Sequence, residues 1–470
     1  MKKKHFLIGA LCLLLSPACL RATEGLMAGA SKVDITPSGP VQLINVKLAT
    51  ECTNVAQRLF ARALAIGEGA DAVVLLSFDG IGVPATLAGR VARGIRDRTG
   101  MGRQQVAICA THTHWAPHLT GLLEYIYGGP LPESAQRNVD AYTDRLVARL
   151  VEAAIKALVA RRPSRLEWTT GSLGIAANRR LEDGGHVIRD NERGLMITWN
   201  PDGPVDHALP VMTVRDIQTG ALTAVHVTYA CHNVALTGST AIGGFTNTVH
   251  GDWVGLAMEE LERRHPGCVA VGTIGCGGDL RPNFCGGESV AAAHGKTLAD
   301  EFDRLLSRTV GWSCVRGPVR TGWRETELPL EPLPAPGDLE KQASDRRPGA
   351  LILARAAAAE RRLKQREQGR AEPDGVPFIA QSWRFTEGPR WVFLSGEVCV
   401  DYQLRIKREL GADVWPVAYA NATPCYIVSA RMLEQGGYEA GNSMYYYGWI
   451  RPLRPSAEGV VMRAVADVLK

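Results

Sequence analysis

Three stretches of this 470-residue chain end an apolar run in side chains able to bind a metal ion. Val106-Ala-Ile-Cys-Ala leads into Thr111-His112-Thr113-His114, and residues two apart on a strand point to one side, so both imidazoles can face one cleft. Neutral imidazole is the commonest protein ligand for zinc. Leu222-Thr-Ala-Val-His-Val-Thr-Tyr-Ala-Cys-His alternates as a strand should and ends at His232. Trp391-Val-Phe-Leu-Ser-Gly-Glu ends at Glu397, ahead of a helix expected over 401–410. A carboxylate there can ligate a metal, act as a general base or cap the helix. A His-x-His pair by itself fits surface or hydrogen-bonded core histidines equally well. His226, inside the second strand, is read as a packed residue, and His118, His186, His207, His250, His265 and His294 are treated alike. Convergence favours chemistry. Open α/β sheets gather their sites at the carboxyl ends of strands, where two histidines and a glutamate would leave a coordination position for water.

The elements that must position these groups predict an α/β fold with central mixed β-sheet or sheets flanked by helices. Apolar strand runs over 71–78 and 105–109 alternate with helical stretches over 138–160 and 253–264. A distinct tract over about 332–373 has Pro-rich and charged flanks around an Ala, Leu, Arg and Glu-rich stretch over 350–370 that should be helical. It is expected as an insertion in one domain spanning 23–470. Ahead of that domain, Lys2, Lys3 and Lys4 precede an apolar run from Phe6 to Leu15 and the small residues Ala18 and Ala22, the layout of a secretory signal peptide over residues 1–22. The run is shorter than the about 20 apolar residues a membrane span needs, and no later segment qualifies. An exported protein, periplasmic or extracellular, is expected, with lipid anchoring through Cys19 as the alternative.

Export would remove four basic and no acidic residues, taking the formal net charge from +5 to +1. A nearly neutral chain without a basic block lacks the footprint that nucleic-acid binding requires. Of the 11 cysteines nine would remain, an odd number, and Cys276 and Cys285 bracket a Gly-rich loop as candidates for a bridge. No Cys-x-x-Cys pair supports a structural cysteine-zinc site.

The candidate ligands belong to a longer ordered set that resembles the catalytic domain of the neutral (non-lysosomal) ceramidases, zinc enzymes that hydrolyse the amide bond of ceramide. Gly29-Ala-Ser-Lys-Val-Asp-Ile-Thr-Pro is similar to the family's opening Gly-x-x-Lys-x-Asp-Ile-Thr segment. Arg62-Ala-Leu-Ala-Ile, the strand end at Asp79, Ala110-Thr-His-Thr-His-Trp-Ala-Pro, Ala177-Asn-Arg and Tyr229-Ala-Cys-His follow in order. Gly251-Asp, Gly278-Asp-Leu-Arg-Pro-Asn, Ser395-Gly-Glu, Tyr426 and, twelve residues on, Tyr438-Glu complete the set over nearly the whole chain. The resemblance implies that zinc is held by His112, His232, Glu397 and the phenol oxygen of Tyr426, with His114, Arg179 and Tyr438 around the substrate carbonyl. It thereby gives the two histidines of the pair separate tasks. The implied reaction is hydrolysis of an N-acyl amide by zinc-activated water, whose pKa the metal lowers towards ~7. Tyr438, Arg179 or His114 would stabilise the oxyanion, and His114, or else Glu397, would carry the proton to the leaving amine.

Departures from the family bear on the substrate. Trp115 follows Thr-His-Thr-His where the family usually has Ser or another small residue, and Arg281 replaces the serine of a Gly-Asp-x-Ser-Pro-Asn loop that ends here at Asn283. Trp115, Arg281 and Asn283 are therefore candidate substrate-binding residues. The planar fork of an arginine suits an anionic group on a lipid-like amide substrate, unless Arg281 merely pairs with Asp279. The family's C-terminal β-sandwich domain is expected to be absent, since the chain stops about thirty residues after Tyr438. Alternatives to the amide hydrolase are the same metal centre acting on another exported substrate such as a carbohydrate, and a non-catalytic secreted binding protein.

Overall fold

Strands that are apolar on both faces must be covered on both sides, and Val73–Phe78 and Val106–Ala110 are buried along their whole length. In the computed structural model, which describes residues 25–44, 51–183, 186–187, 199–237 and 247–470, they form one end of a nine-stranded sheet. The leader over 1–22 and the Cys19 alternative lie outside the described residues. The strand order is Val269–Ile274, Leu222–Tyr229, Ala208–Asp216, Arg162–Ser172, Leu26–Asp34, Phe60–Ile66, Val73–Phe78 and Val106–Ala110, with Ser313–Cys314 paired onto Arg162–Ser172. Pairing along this path is antiparallel except at its two ends, where Val73–Phe78 with Val106–Ala110 and Leu222–Tyr229 with Val269–Ile274 run parallel. A parallel pair needs a crossover, and helices Ala85–Thr99 and Asp252–Arg264 supply the two. A second sheet runs Arg316–Pro329, Gly375–Glu387, Arg390–Leu394 and Val414–Val417, its last pair again parallel and joined through helix Val400–Leu410.

The strand period of two sorts side chains into layers. Leu64, Leu75, Met212 and Val214 of the large sheet meet Trp383, Trp391, Phe393 and Trp415 of the second in an apolar seam. The opposite face of the large sheet carries Ala85–Thr99 and Glu133–Val159 at one end and Asp252–Arg264 and Glu288–Leu306 at the other. Val400–Leu410 and Ala457–Val468 cover the outer face of the second sheet. The order helix, sheet, sheet, helix is the α/β class with mixed sheets that the sequence predicts. His226 lies in the seam, with its ring centroid 5.0 Å from that of Trp391 and Nε2 3.0 Å from Thr273 Oγ1, and burial pushes it down to about 3. It is a packed residue.

Within the 332–373 tract, helices Pro336–Ala343 and Ala350–Glu367 pack on each other, and the second also meets the turn Asn442–Tyr447. The second helix stops before 370 because Gly369 takes a left-handed backbone, φ 67°. The candidate Cys276–Cys285 bridge is not formed. Cys276 packs in the core behind the end of Val269–Ile274, whereas Cys285 lies on a partly exposed loop, and both are free thiols. No helix among the described residues is long and apolar enough to cross a membrane.

Candidate metal centre

Ends of strands from both sheets meet at one place. After Val106–Ala110 the chain passes Thr111 and turns at His112, whose backbone is left-handed with φ 58°. Such a backbone costs a non-glycine residue about 1–3 kcal/mol and persists only where its surroundings hold it. Here the His112 ring stacks on Tyr419 with centroids 4.2 Å apart. The strand stops at Ala110, so this kink, and not strand alternation, brings His114 Nε2 to 3.4 Å from His112 Nε2. Thr113 bridges to Asn233, which fastens this loop to the one carrying His232, three residues beyond Leu222–Tyr229. Glu397 and Tyr426 are register partners in a short parallel pair, Glu397–Val398 with Tyr426–Ile427, at the end of the second sheet. Glu397 is not the cap of Val400–Leu410, because Asp279 Oδ1 accepts from the Val400 N–H at 2.7 Å. Gly278 lets this loop pass the Glu397 strand closely, since a Cβ there would stand 2.6 Å from the Glu397 carbonyl oxygen.

His112 Nδ1 lies 2.5 Å from the Ile81 carbonyl and His232 Nδ1 lies 2.7 Å from the Gly277 carbonyl. A carbonyl only accepts, so both Nδ1 atoms carry hydrogen and, in the neutral rings, both Nε2 atoms present lone pairs. These lone pairs converge on Glu397 Oε2, 3.1 Å from His112 and 3.4 Å from His232, while the Tyr426 hydroxyl stands 3.4 Å from His232 Nε2. All four side chains are at most 4 % exposed, and among the described residues Glu397 Oε2 finds no ordinary hydrogen-bond donor. Acceptors buried this closely repel one another unless a positive charge lies among them. Protonation of His232 is disfavoured, because burial, then Arg179 and His112, push it down to about 3. A cation would complete the set. Donors about 2.0–2.2 Å from one shared ion stand roughly 3–3.5 Å apart, which matches the separations here, and imidazole with carboxylate oxygen is a zinc-type donor set.

His114 belongs to the same cluster, since ligand atoms of His112, His114 and His232 lie within 4.8 Å of one another and could hold an ion. Of these three rings, His114 alone keeps partial exposure. Burial, then His112 and His232, hold it well below its ordinary value, so its resting form is neutral. Two ligand sets therefore share His112 and His232 and differ in whether Glu397 or His114 is the third donor.

A polar shell positions these groups. Arg179 NH2 donates to the Tyr426 hydroxyl at 3.1 Å and its Nε to Glu439 Oε1 at 2.8 Å, while Arg180 NH1 donates to Glu439 Oε2 at 2.7 Å. The Tyr438 ring stands 5.7 Å from that of Tyr426, centroid to centroid. The Tyr447 hydroxyl donates to Glu397 Oε1, leaving Oε2 turned to the histidines. Removing a group that orients a ligand typically costs 10–100-fold in metal affinity. Tyr447→Phe is thus expected to weaken metal binding by about 10–100-fold in a chelator competition; unchanged affinity would show that the hydroxyl does not orient the carboxylate.

The structure thus gathers His112, His114, His232, Glu397, Tyr426, Tyr438 and Arg179. Trp115 is 1 % exposed, with its ring 6.4 Å from that of His114, and is packed in the interior. Arg281 NH2 donates to Cys285 Sγ at 3.1 Å and Asn283 Nδ2 to the Gly174 carbonyl at 3.0 Å, while Asp279 accepts from Asn178 Nδ2 at 3.1 Å and from Val400. Tyr447, Arg180, Glu439 and the Ile81 and Gly277 carbonyls are participants that sequence reasoning did not single out. The signal for Glu439 was the adjacent pair Arg179-Arg180, since two arginines that are buried require a carboxylate.

No protein-family model matches the chain, and a comparison with curated proteins gives no match. Among solved structures, neutral ceramidase from Pseudomonas aeruginosa is similar over 95% of this chain and 74% of its own, with 18% identity and a TM-score of 0.66. A ceramidase complexed with C2 is similar over 95% of this chain and 75% of its own, with 18% identity and a TM-score of 0.67. At this identity the likeness is one of architecture: two stacked mixed sheets between helices, in the fold of the neutral ceramidases.

Proposed function

We propose that this chain is an exported zinc-dependent hydrolase that cleaves an N-acyl amide, ceramide-like or smaller. The observation that carries this reading is the convergence of two imidazole lone pairs, a carboxylate oxygen and a phenol in a buried space. Zinc held there supplies Lewis acidity and a water whose pKa falls to about 7. His112 and His232 bind through Nε2, kept in the right tautomer by Ile81 and Gly277. Glu397 is the third donor and Tyr447 fixes its orientation. Tyr426 is the fourth, held in place by Arg179.

As the amide is attacked, charge grows on the carbonyl oxygen, and Tyr438 and His114 donate to it. One such donor is typically worth ~10²–10³ in rate. His114, neutral at rest, can take a proton from the attacking water and return it to the leaving nitrogen, which must be protonated before it departs. The named ceramidases of this fold support an amide over a carbohydrate.

The test combines metal analysis with a panel of N-acyl amides, sugars and esters, assayed before and after chelation. Expected are one zinc per chain and amide hydrolysis that chelation abolishes and added zinc restores. Amide hydrolysis indifferent to chelation, or activity on sugars or esters alone, would overturn the reading.

A further inference from the structure

Next to the metal centre, helix Ala350–Glu367 and the turn Asn442–Tyr447 enclose a cleft of about 280 Å³. Its lining includes Arg361, Arg362 and Arg370 and no acidic residue. Glu124 pairs with Arg361 at 2.9 Å and Glu372 with Arg362 at 2.7 Å, both from outside the lining. Arg370 has no acidic partner within 4.0 Å among the described residues. Behind the cleft, Arg451 donates to the carbonyls of Glu331 and Pro373 and has the carboxylates of Glu372 and Asp374 near it. Arg361 and Arg362 are thus already answered by carboxylates, and Arg370 is the guanidinium of the lining left to take a further anion.

The walls add a second argument. Trp449, anchored by its indole N–H to the Pro424 carbonyl at 2.9 Å, and Tyr447 give the cleft apolar sides. Tyr447 also ties it to the chemistry, because the hydroxyl of this same side chain donates to Glu397. Arg361 lines, besides this cleft, a larger cavity of about 660 Å³ whose walls include Leu119, Leu131, Val139 and Ala357. Glu124, Glu360 and Lys364 also line it, so a cavity of mixed character and the basic cleft meet at Arg361.

We propose that the basic cleft binds an anionic headgroup, so that the preferred substrates are N-acylated amines bearing a carboxylate or sulfonate and not neutral ceramide-like lipids. Arg370 and Arg361 are the principal donors, because the guanidinium fork matches such oxyanions bidentately. This proposal rests on the amide-hydrolase reading, moves the anion site from Arg281 to the helical tract, and makes that tract the determinant of specificity.

The test uses N-lauroyl amides of glycine, taurine and ethanolamine, matched in chain length, assayed with wild type and with R361Q/R370Q. Both arginines are exposed, so the double variant should fold, which its thermal transition checks. Binding of N-octylglycine, which has no amide, is measured alongside by calorimetry, with N-octylethanolamine, which shares its ammonium but lacks the carboxylate, as the comparison. The glycine and taurine amides should be favoured over the ethanolamine amide by about 10-fold or more in kcat/KM, chiefly through KM, with the two acids compared to rank carboxylate against sulfonate. In R361Q/R370Q that ratio and N-octylglycine affinity should each fall about 10-fold or more. A wild type that prefers the neutral amide, or a ratio unchanged by the double substitution, overturns the proposal. If no amide is cleaved but N-octylglycine binds and R361Q/R370Q loses it, the anion site stands and the hydrolase reading falls. If amides are cleaved without headgroup preference and N-octylglycine does not bind, the anion site falls alone.

Discussion

His112→Ala is expected to leave the chain without bound zinc and to lower amide hydrolysis by about 10³-fold or more, because it removes the donor nearest Glu397 Oε2 and the group around which that carboxylate is placed. Metal analysis of the purified variant decides the matter; zinc at the wild-type level together with wild-type turnover would remove His112 from the site. The left-handed backbone at this position adds a second effect, since alanine is strained there and glycine is not. His112→Gly should therefore lose metal equally while unfolding at a higher temperature than His112→Ala. His114→Ala serves as the contrast. If Glu397 is the third donor, that variant keeps its zinc and loses rate; if His114 is, it loses both.

The other large effect falls on stability. Glu439→Ala should lower the free energy of unfolding by about 3–5 kcal/mol, the usual result of stripping the partner from a buried charge. Glu439 answers two guanidinium groups at once, with Arg179 and Arg180 each at most 3 % exposed. Burial by itself would raise the Glu439 carboxyl, yet Arg179 and Arg180 hold it below its ordinary value, so the charged form is the one built into the fold. Urea titration measures the loss, and a change under about 1 kcal/mol, the range of an exposed pair, would contradict it. Activity should fall too, because Arg179 positions the Tyr426 hydroxyl.

These two residues also mark how far the sequence could be read. His112, His232 and Glu397 each follow an apolar strand closely, and that pattern is visible in one dimension. The separate tasks of His112 and His114 were not, since they depend on a backbone kink at one residue. Tyr426 joins the set through register with Glu397, a relation between strands that spacing along the chain does not carry. Only the family resemblance named it beforehand. Tyr447 lies on a short turn with no periodic signature, and Glu439 acquires its meaning from Arg179 and Arg180, far away in sequence. In the fold, alternation of strands and helices was legible. The stacking of one sheet on another was not, because the burial of Trp383, Trp391 and Trp415 says that a face is covered and does not say by what. Whether the candidate cysteine pair would bridge was illegible for the same reason, as closeness along a loop says little about which environment each thiol enters.

The four proposed ligands divide evenly: His112 and His232 follow strands of the large sheet, while Glu397 and Tyr426 belong to a short two-stranded sheet that follows the second. An ion shared by all four is a rivet through the seam. Neither half alone could capture it, so loading would come last in assembly and report that the halves had docked correctly. Whatever binds the finished state and not its parts also stabilises it in proportion to supply. The availability of metal would then set the working lifetime of the whole molecule as well as its rate, and a metal-starved compartment would lose the protein along with its activity.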